Sequence, residues 1–229
     1  SKALAFRGGT ALYKLYLKPA ARYSEDIDLV QVTAEPAGMM MDALREVLDL
    51  WLGKAQWKQT EGRVTLNYRF RSEDPMPVPL RLKVEVNTRE HFTEHGYQQV
   101  PFAVSSRWFN GACDITTYSL DELLGTKLRA LYQRRKGRDL FDISTALSQG
   151  SADPARIVAA FSRYMDEGGH QVSRAEFEEN LAKKLEDQRF LSDIPPLLSA
   201  GQNWDAQQAV AIVVERLCPL LEGEPWKNA

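Results

Sequence analysis

Asp26 and Asp28 stand two residues apart in Ser24-Glu25-Asp26-Ile27-Asp28-Leu29-Val30, a stretch that alternates polar with apolar. On a strand this spacing turns both carboxylates to one face and Ile27 and Leu29 to the other. Two such carboxylates, joined by a third from a neighbouring strand, can hold a pair of Mg2+ ions through hard oxygen ligands. A metal pair of that kind suits an in-line displacement at phosphorus. Glu85 is the candidate third carboxylate, because Leu80, Leu82, Val84 and Val86 alternate with Arg81, Lys83 and Glu85 and leave Glu85 off the buried face. Lys83 shares that face, and a simple Lys83–Glu85 ion pair is the competing reading. Upstream, Gly8-Gly9-Thr10 forms a turn running into helix formers, which would offer backbone N–H groups and a positive helix end to a triphosphate. Together these parts describe transfer of a nucleotide from a nucleoside triphosphate. Singly they are common: an isolated Asp-x-Asp is more often two solvated strand residues.

These residues need elements to hold them. Leu4 to Phe6 reads as a short strand or helix, and Thr10 to Tyr16 as a helix after the glycine turn. Met39 to Leu52 carries Met40, Ala43, Leu44, Val47, Leu48 and Trp51 at helical spacing. Val64 to Phe70 and Leu80 to Val86 read as strands joined through Pro75-Met76-Pro77-Val78-Pro79. From Ser119 the pattern turns helical. Ser119-Leu120-Asp121-Glu122 fits a capping box, and Lys127 lies in a stripe of leucines. Helices are expected over 138–147, 155–165, 175–185 and 206–221. The fold class is therefore α+β, a mixed sheet flanked by helices with a helical C-terminal region, divided as 1–118 and 119–229.

With 44% hydrophobic residues over 229 positions, the chain can bury a substantial core. Its net charge of -2 rules out holding nucleic acid by bulk charge, so any such contact must be a local patch. The run from Lys127 to Arg138, with Lys127, Arg129, Arg134, Arg135, Lys136 and Arg138, is one candidate, against a helix end that is merely solvated. Cys113 and Cys218 lack companions for zinc or a disulfide framework, which points to a reducing cytoplasm. No apolar stretch is long enough for a membrane helix. His91 and His95 are read as surface residues, and Trp51, Trp57, Trp108, Trp204 and Trp226 as packing residues.

The order Gly8-Gly9-Thr10-Ala11-Leu12, Arg22-x-Ser24-Glu25-Asp26-Ile27-Asp28-Leu29, Lys83-Val84-Glu85 resembles the polymerase-β-type nucleotidyltransferase core. With Leu123-Leu124-Gly125-Thr126-Lys127-Leu128-Arg129 and Arg138-Asp139-Leu140-Phe141-Asp142, it resembles the AbiEii family of type IV toxin–antitoxin nucleotidyltransferases, which includes the mycobacterial MenT toxins. The resemblance runs from about Arg7 to Leu147. It implies an α/β nucleotidyltransferase core, nucleotide contacts from Gly8, Gly9, Thr10, Ser24 and Lys127, and metal ligation by Asp26, Asp28 and Glu85. It implies catalytic roles for Asp26, Asp28, Lys127 and Asp139, with Asp142 in support. Thr10 stands where the wider superfamily commonly has serine, and the hydroxyl is kept.

The resemblance further implies Mg2+, an NTP substrate such as GTP or CTP, an RNA acceptor, tRNA above all, and an antitoxin encoded by an adjacent gene. The helices that the family carries ahead of the glycine turn are expected to be missing here, at some cost in activity. Three other functions fit the same residues: an NTP- or partner-binding module without catalysis, a nucleotidyltransferase acting on protein, and a two-metal nuclease. An intact Asp26-x-Asp28 favours an enzyme, and the glycine turn favours triphosphate use over hydrolysis.

Overall fold

Alternation of side chains decides the first part of the structure, a computed structural model that describes residues 3–227. Ile27 and Leu29 point to one side of β2 (Ile27–Gln31) and pack with Leu66, Tyr68, Val84 and Val86 of β4 (Arg63–Arg71) and β5 (Pro79–Asn87). Helix α2 (Ala37–Leu52) covers that side with Met40, Met41, Leu44 and Leu48. Val64, Leu66, Tyr68 and Val86 are fully buried, and each contributes about 1.5–3 kcal/mol by leaving water. The hydroxyl of Tyr68 donates to Asp49 of α2 at 3.0 Å, which supplies its polar end with a partner.

Among the described residues the strands form one sheet in the order β3-β4-β5-β2-β1-β7-β6, with β1 Leu4–Arg7, β3 Gln56–Thr60, β6 Gln98–Ser105 and β7 Asn110–Thr117. The β2–β5 and β1–β7 pairs are parallel and the others antiparallel. The sequence pattern shows β2, β4 and β5 but not β3, β6 or β7. Every residue of β3 is exposed, so it carries no hydrophobic alternation. Pro101 argues against a strand in β6, yet β6 lies at the sheet edge, where a missing N–H is tolerated.

Two compact units make up the chain: Ser1–Leu15, Ser24–Thr93 and Tyr97–Tyr118 in one, and Tyr16–Tyr23, Glu94–Gly96 and Ser119–Ala229 in the other. The second is helical, with α3 Leu120–Gln133, α4 Gly137–Ser148, α5 Pro154–Glu167, α6 Arg174–Leu185, α7 Gln188–Leu191 and α8 Ala206–Arg216. Helices α3 and α5 meet at Gly125, where a Cβ would lie 2.6 Å from that of Ala160. The short segments 16–23 and 94–96 join this unit through backbone bonds. Tyr23 N–H donates to the Leu197 carbonyl at 2.8 Å, while Glu94 N–H and His95 N–H donate to the Glu122 carboxylate at 2.8 and 2.9 Å.

That use of Glu122 corrects one expectation. Ser119 accepts from Glu122 N–H as an N-cap at 3.2 Å, but the Glu122 carboxylate serves the 94–96 loop and the Tyr164 hydroxyl. The reciprocal capping box instead lies at Ser173 and Glu176, opening α6. Helix α8 stops at Arg216 rather than Leu221, and a 3-10 turn containing Pro219 follows it.

Candidate active site

Strand β1 delivers the chain to Gly8, whose φ of +77° opens the turn into α1 (Gly8–Ala11), continued by a π-helical segment, Leu12–Tyr16. Positive φ disfavours side chains, and here space forbids one as well. A Cβ on Gly8 would lie 2.1 Å from Asp28 Oδ2. The glycine thus makes room for the carboxylate that follows on the next strand. Thr10 Oγ1 donates to the Asp26 carbonyl at 2.5 Å and lies 2.9 Å from Ser24 Oγ, which ties α1 to the start of β2. Its hydroxyl proton is therefore committed within the protein, and any phosphate contact by Thr10 falls to its backbone N–H.

Glu85 is paired in register with Asp28 across the parallel β2–β5 ladder, and Arg7 is paired with Asp28 from the β1 side. Side chains of paired residues share a face, so Arg7, Asp28 and Glu85 form one row across three strands. Asp26 lies one pleat away on the same face. Lys83 sits among these carboxylates, 2.9 Å from Asp26 and 3.5 Å from Glu85. Partial burial works against its charge, but Asp26, Glu85 and Asp28 together keep its pKa above the ordinary lysine value. Glu85 also meets Arg63 at 3.4 Å, and Arg7 meets Glu90 at 2.5 Å. The Lys83–Glu85 pair raised as an alternative does form, though Asp26 is the nearer partner.

Among the described residues no three carboxylate, histidine or cysteine side chains converge into a metal cage. The donor set nevertheless fits a hard divalent cation. Its oxygens already gather around a positive charge, the Lys83 ammonium, and Asp28 sits over a glycine with no side chain in between.

The second set of predicted residues lies within the helical unit. Lys127 of α3 is 7% exposed and bridges two fully buried carboxylates of α4, Asp139 at 3.1 Å and Asp142 at 2.9 Å. Arg134 holds Asp139 at 2.7 and 2.9 Å. Arg22 grips Asp142 with two bonds of 2.6 Å each. Burial by itself would raise both carboxyl pKa values. The neighbouring Lys127 overcomes it, aided by Arg134 at Asp139 and by Arg22 at Asp142, and both lie below the usual carboxylate range. An ammonium has three N–H donors, and two of those on Lys127 face the carboxylates. Sequence reasoning missed Arg22 and Arg134 as members of this network. Arg22 stands in the quoted Arg-x-Ser motif, but no periodicity marks it as buried.

Other expectations are corrected. The basic run from Lys127 to Arg138 is engaged within its own unit: Arg135 pairs with Asp187, Lys136 and Arg138 with Asp193, and Arg129 lies over the Tyr164 ring. Trp51, Trp57 and Trp108 are 66%, 53% and 62% exposed, so they are not core residues. His91 and His95 are half-buried and anchored to the Gln31 and Arg156 carbonyls at 2.8 and 2.9 Å rather than free at the surface. Cys113 and Cys218 are both free thiols. Among the described residues no helix is long and apolar enough to cross a membrane.

No curated protein sequence matches the chain at a significant level. Two solved structures share its fold at 18% identity. MenT4, a nucleotidyltransferase toxin from Mycobacterium tuberculosis, has a TM-score of 0.67 over 96% of this chain and 76% of its own. JHP933 from Helicobacter pylori has a TM-score of 0.59 over 95% of this chain and 83% of its own. The family described as "Nucleotidyl transferase AbiEii toxin, Type IV TA system" matches residues 1–212. A match over that much of the sequence shows that the chain belongs to the AbiEii nucleotidyltransferases of type IV toxin–antitoxin systems.

Proposed function

We propose that the chain transfers a nucleoside monophosphate from an NTP to RNA, with tRNA as the acceptor class, in the presence of Mg2+. It acts as the toxin of a toxin–antitoxin pair in the cytoplasm, restrained by an antitoxin from an adjacent gene. The observation that carries this reading is the register of Asp28 with Glu85, with Asp26 one pleat away and Gly8 beneath the Asp28 carboxylate. Membership of the AbiEii family supports both the transfer chemistry and the NTP substrate.

In this reading the strand-rich unit carries the chemistry. Backbone N–H groups of Gly8, Gly9 and Thr10 receive triphosphate oxygens, and Ser24 holds Thr10 in place. Asp26, Asp28 and Glu85 would hold the divalent cations, in the place where the Lys83 ammonium now meets Asp26 and Glu85. When bound, such a metal pair stabilises charge on the attacking and leaving oxygens. Asp28 or Glu85 takes the proton of the acceptor hydroxyl. In the helical unit Lys127 is the phosphate-contacting residue that the family resemblance implies, and Asp139, with Asp142, fixes the position of its ammonium.

Incubation with Mg2+, total tRNA and each α-labelled NTP in turn tests this reading. Label should enter RNA, and Asp26→Asn should abolish its transfer with the circular dichroism spectrum unchanged. Equal rates in both proteins would remove Asp26 from the site, label in protein would change the acceptor, and no label in either would favour a binding module.

A further inference from the structure

Arg69 and Arg81 are Cα partners on adjacent antiparallel strands, so their side chains leave the same face of the sheet side by side. Like charges directly opposite one another destabilise a sheet unless something pairs with them. Arg69, Arg71 and Arg81 are all exposed, and among the described residues none has a carboxylate within ion-pair distance. With Phe70, Pro79 and Leu80 they line an open groove of about 410 Å3 at the outer end of the β4–β5 ladder. The acidic residues in the connecting turn are Glu73 and Asp74, and Asp74 pairs with Arg107 instead. The six cations of the helical run, in contrast, all have partners.

The same face leads to the carboxylates. Four residue steps along β5 lead from Arg81 to Glu85, about 13 Å at the strand rise. Between them lie Asn67, which pairs with Lys83, and Thr65, which pairs with Glu85, while β3 adds Gln56 and Lys58. On this face β3, β4 and β5 present Gln56, Lys58, Thr65, Asn67, Arg69, Arg71, Arg81 and Lys83, and the apolar side chains at the groove, Phe70 and Leu80, alternate to the other face of the strands. Strand order adds a direction. β1, with its glycine turn, and β5 flank β2 on opposite sides. In an in-line displacement the attacking group and the leaving pyrophosphate lie on opposite sides of the phosphorus. Triphosphate at the β1 side therefore places the acceptor at the β5 side.

We propose that the open face of β3, β4 and β5 is the acceptor track, with Arg69, Arg71 and Arg81 gripping the phosphate backbone of the RNA whose end reaches Glu85 and Asp28. This rests on the RNA-acceptor reading above and adds where that RNA lies.

The test uses the full chain with Arg69→Ser/Arg81→Ser, and Arg135→Ser/Lys136→Ser as the comparison. Binding of fluorescent total tRNA is followed by anisotropy across a salt series without NTP, and label transfer is assayed in parallel. Removing two phosphate contacts should weaken tRNA binding by roughly tenfold and reduce the slope of log K against log salt by about 1.4 to 1.8. The melting temperature should not fall, since a repulsive pair has been removed. The helical-unit variant should bind as the unaltered protein does. If the unaltered protein labels tRNA and the strand variant binds it with the same affinity and slope, the track is wrong while the RNA reading stands. Loss confined to the helical-unit variant would also overturn it. Failure of the unaltered protein to bind or label any RNA, or label in protein alone, would overturn both.

Discussion

At the scale of single residues, Gly8 is the position where chemistry and backbone geometry meet. Its left-handed φ of +77° disfavours any side chain, and a Cβ at this position would come within 2.1 Å of Asp28 Oδ2. Gly8→Ala should cost at least about 1–2 kcal/mol from the backbone alone, read as a lowered urea midpoint. It should also reduce transfer further than the loss of stability explains, because the Asp28 carboxylate must move. A variant that melts lower but turns over normally would show that Asp28 tolerates displacement. Asp26 and Asp28 differ in environment: Asp26 meets Lys83 at 2.9 Å, whereas Asp28 lies between Gly8 and Glu85.

At the scale of elements, the ion network joins helices α3 and α4 to the segment carrying Arg22. Lys127 is the shared cation of two carboxylates with no exposure to water. Replacing it with Met leaves Asp139 and Asp142 facing each other with one cation fewer, and breaking a buried pair in this way costs about 3–5 kcal/mol. Chemical denaturation should register that loss. Nucleotide affinity measured below the unfolding range then separates the two roles of Lys127. Weaker NTP binding by folded Lys127→Met supports a phosphate contact, and unchanged binding confines Lys127 to holding α3 against α4.

At the scale of the whole molecule, the same network makes stability depend on acid. Asp139 and Asp142 have carboxyl pKa values below those of the unfolded chain, so their contribution is complete above the unfolded value of about 4. It is lost as pH falls through the depressed folded values. The urea midpoint should therefore hold near neutral pH and drop below about pH 4. Asp142→Asn should be less stable at pH 7 and show a shallower decline with acid. Parallel curves for the two proteins would show that other carboxylates govern acid unfolding.

Local patterns were enough to reveal much of this protein. The alternation around Asp26 and Asp28, the helical stripe of α2 and the leucine face of α3 each follow from periods of two or 3.6 residues, which a linear chain displays directly. The motif order also pointed to the family, and Glu85 was legible as a residue turned away from its strand's buried face. Other features are relations between distant residues, and no period records them. The Asp28–Glu85 register, the sharing of Lys83 between Asp26 and Glu85 and the grip of Arg22 on Asp142 all depend on how strands and helices come together. The fully exposed β3 and the proline-bearing β6 are strands because a neighbour pairs with them, not because their own side chains demand it. Exposure of Trp51, Trp57 and Trp108 was likewise decided by tertiary packing, since a helix or strand has more than one face and only its neighbours determine which is covered.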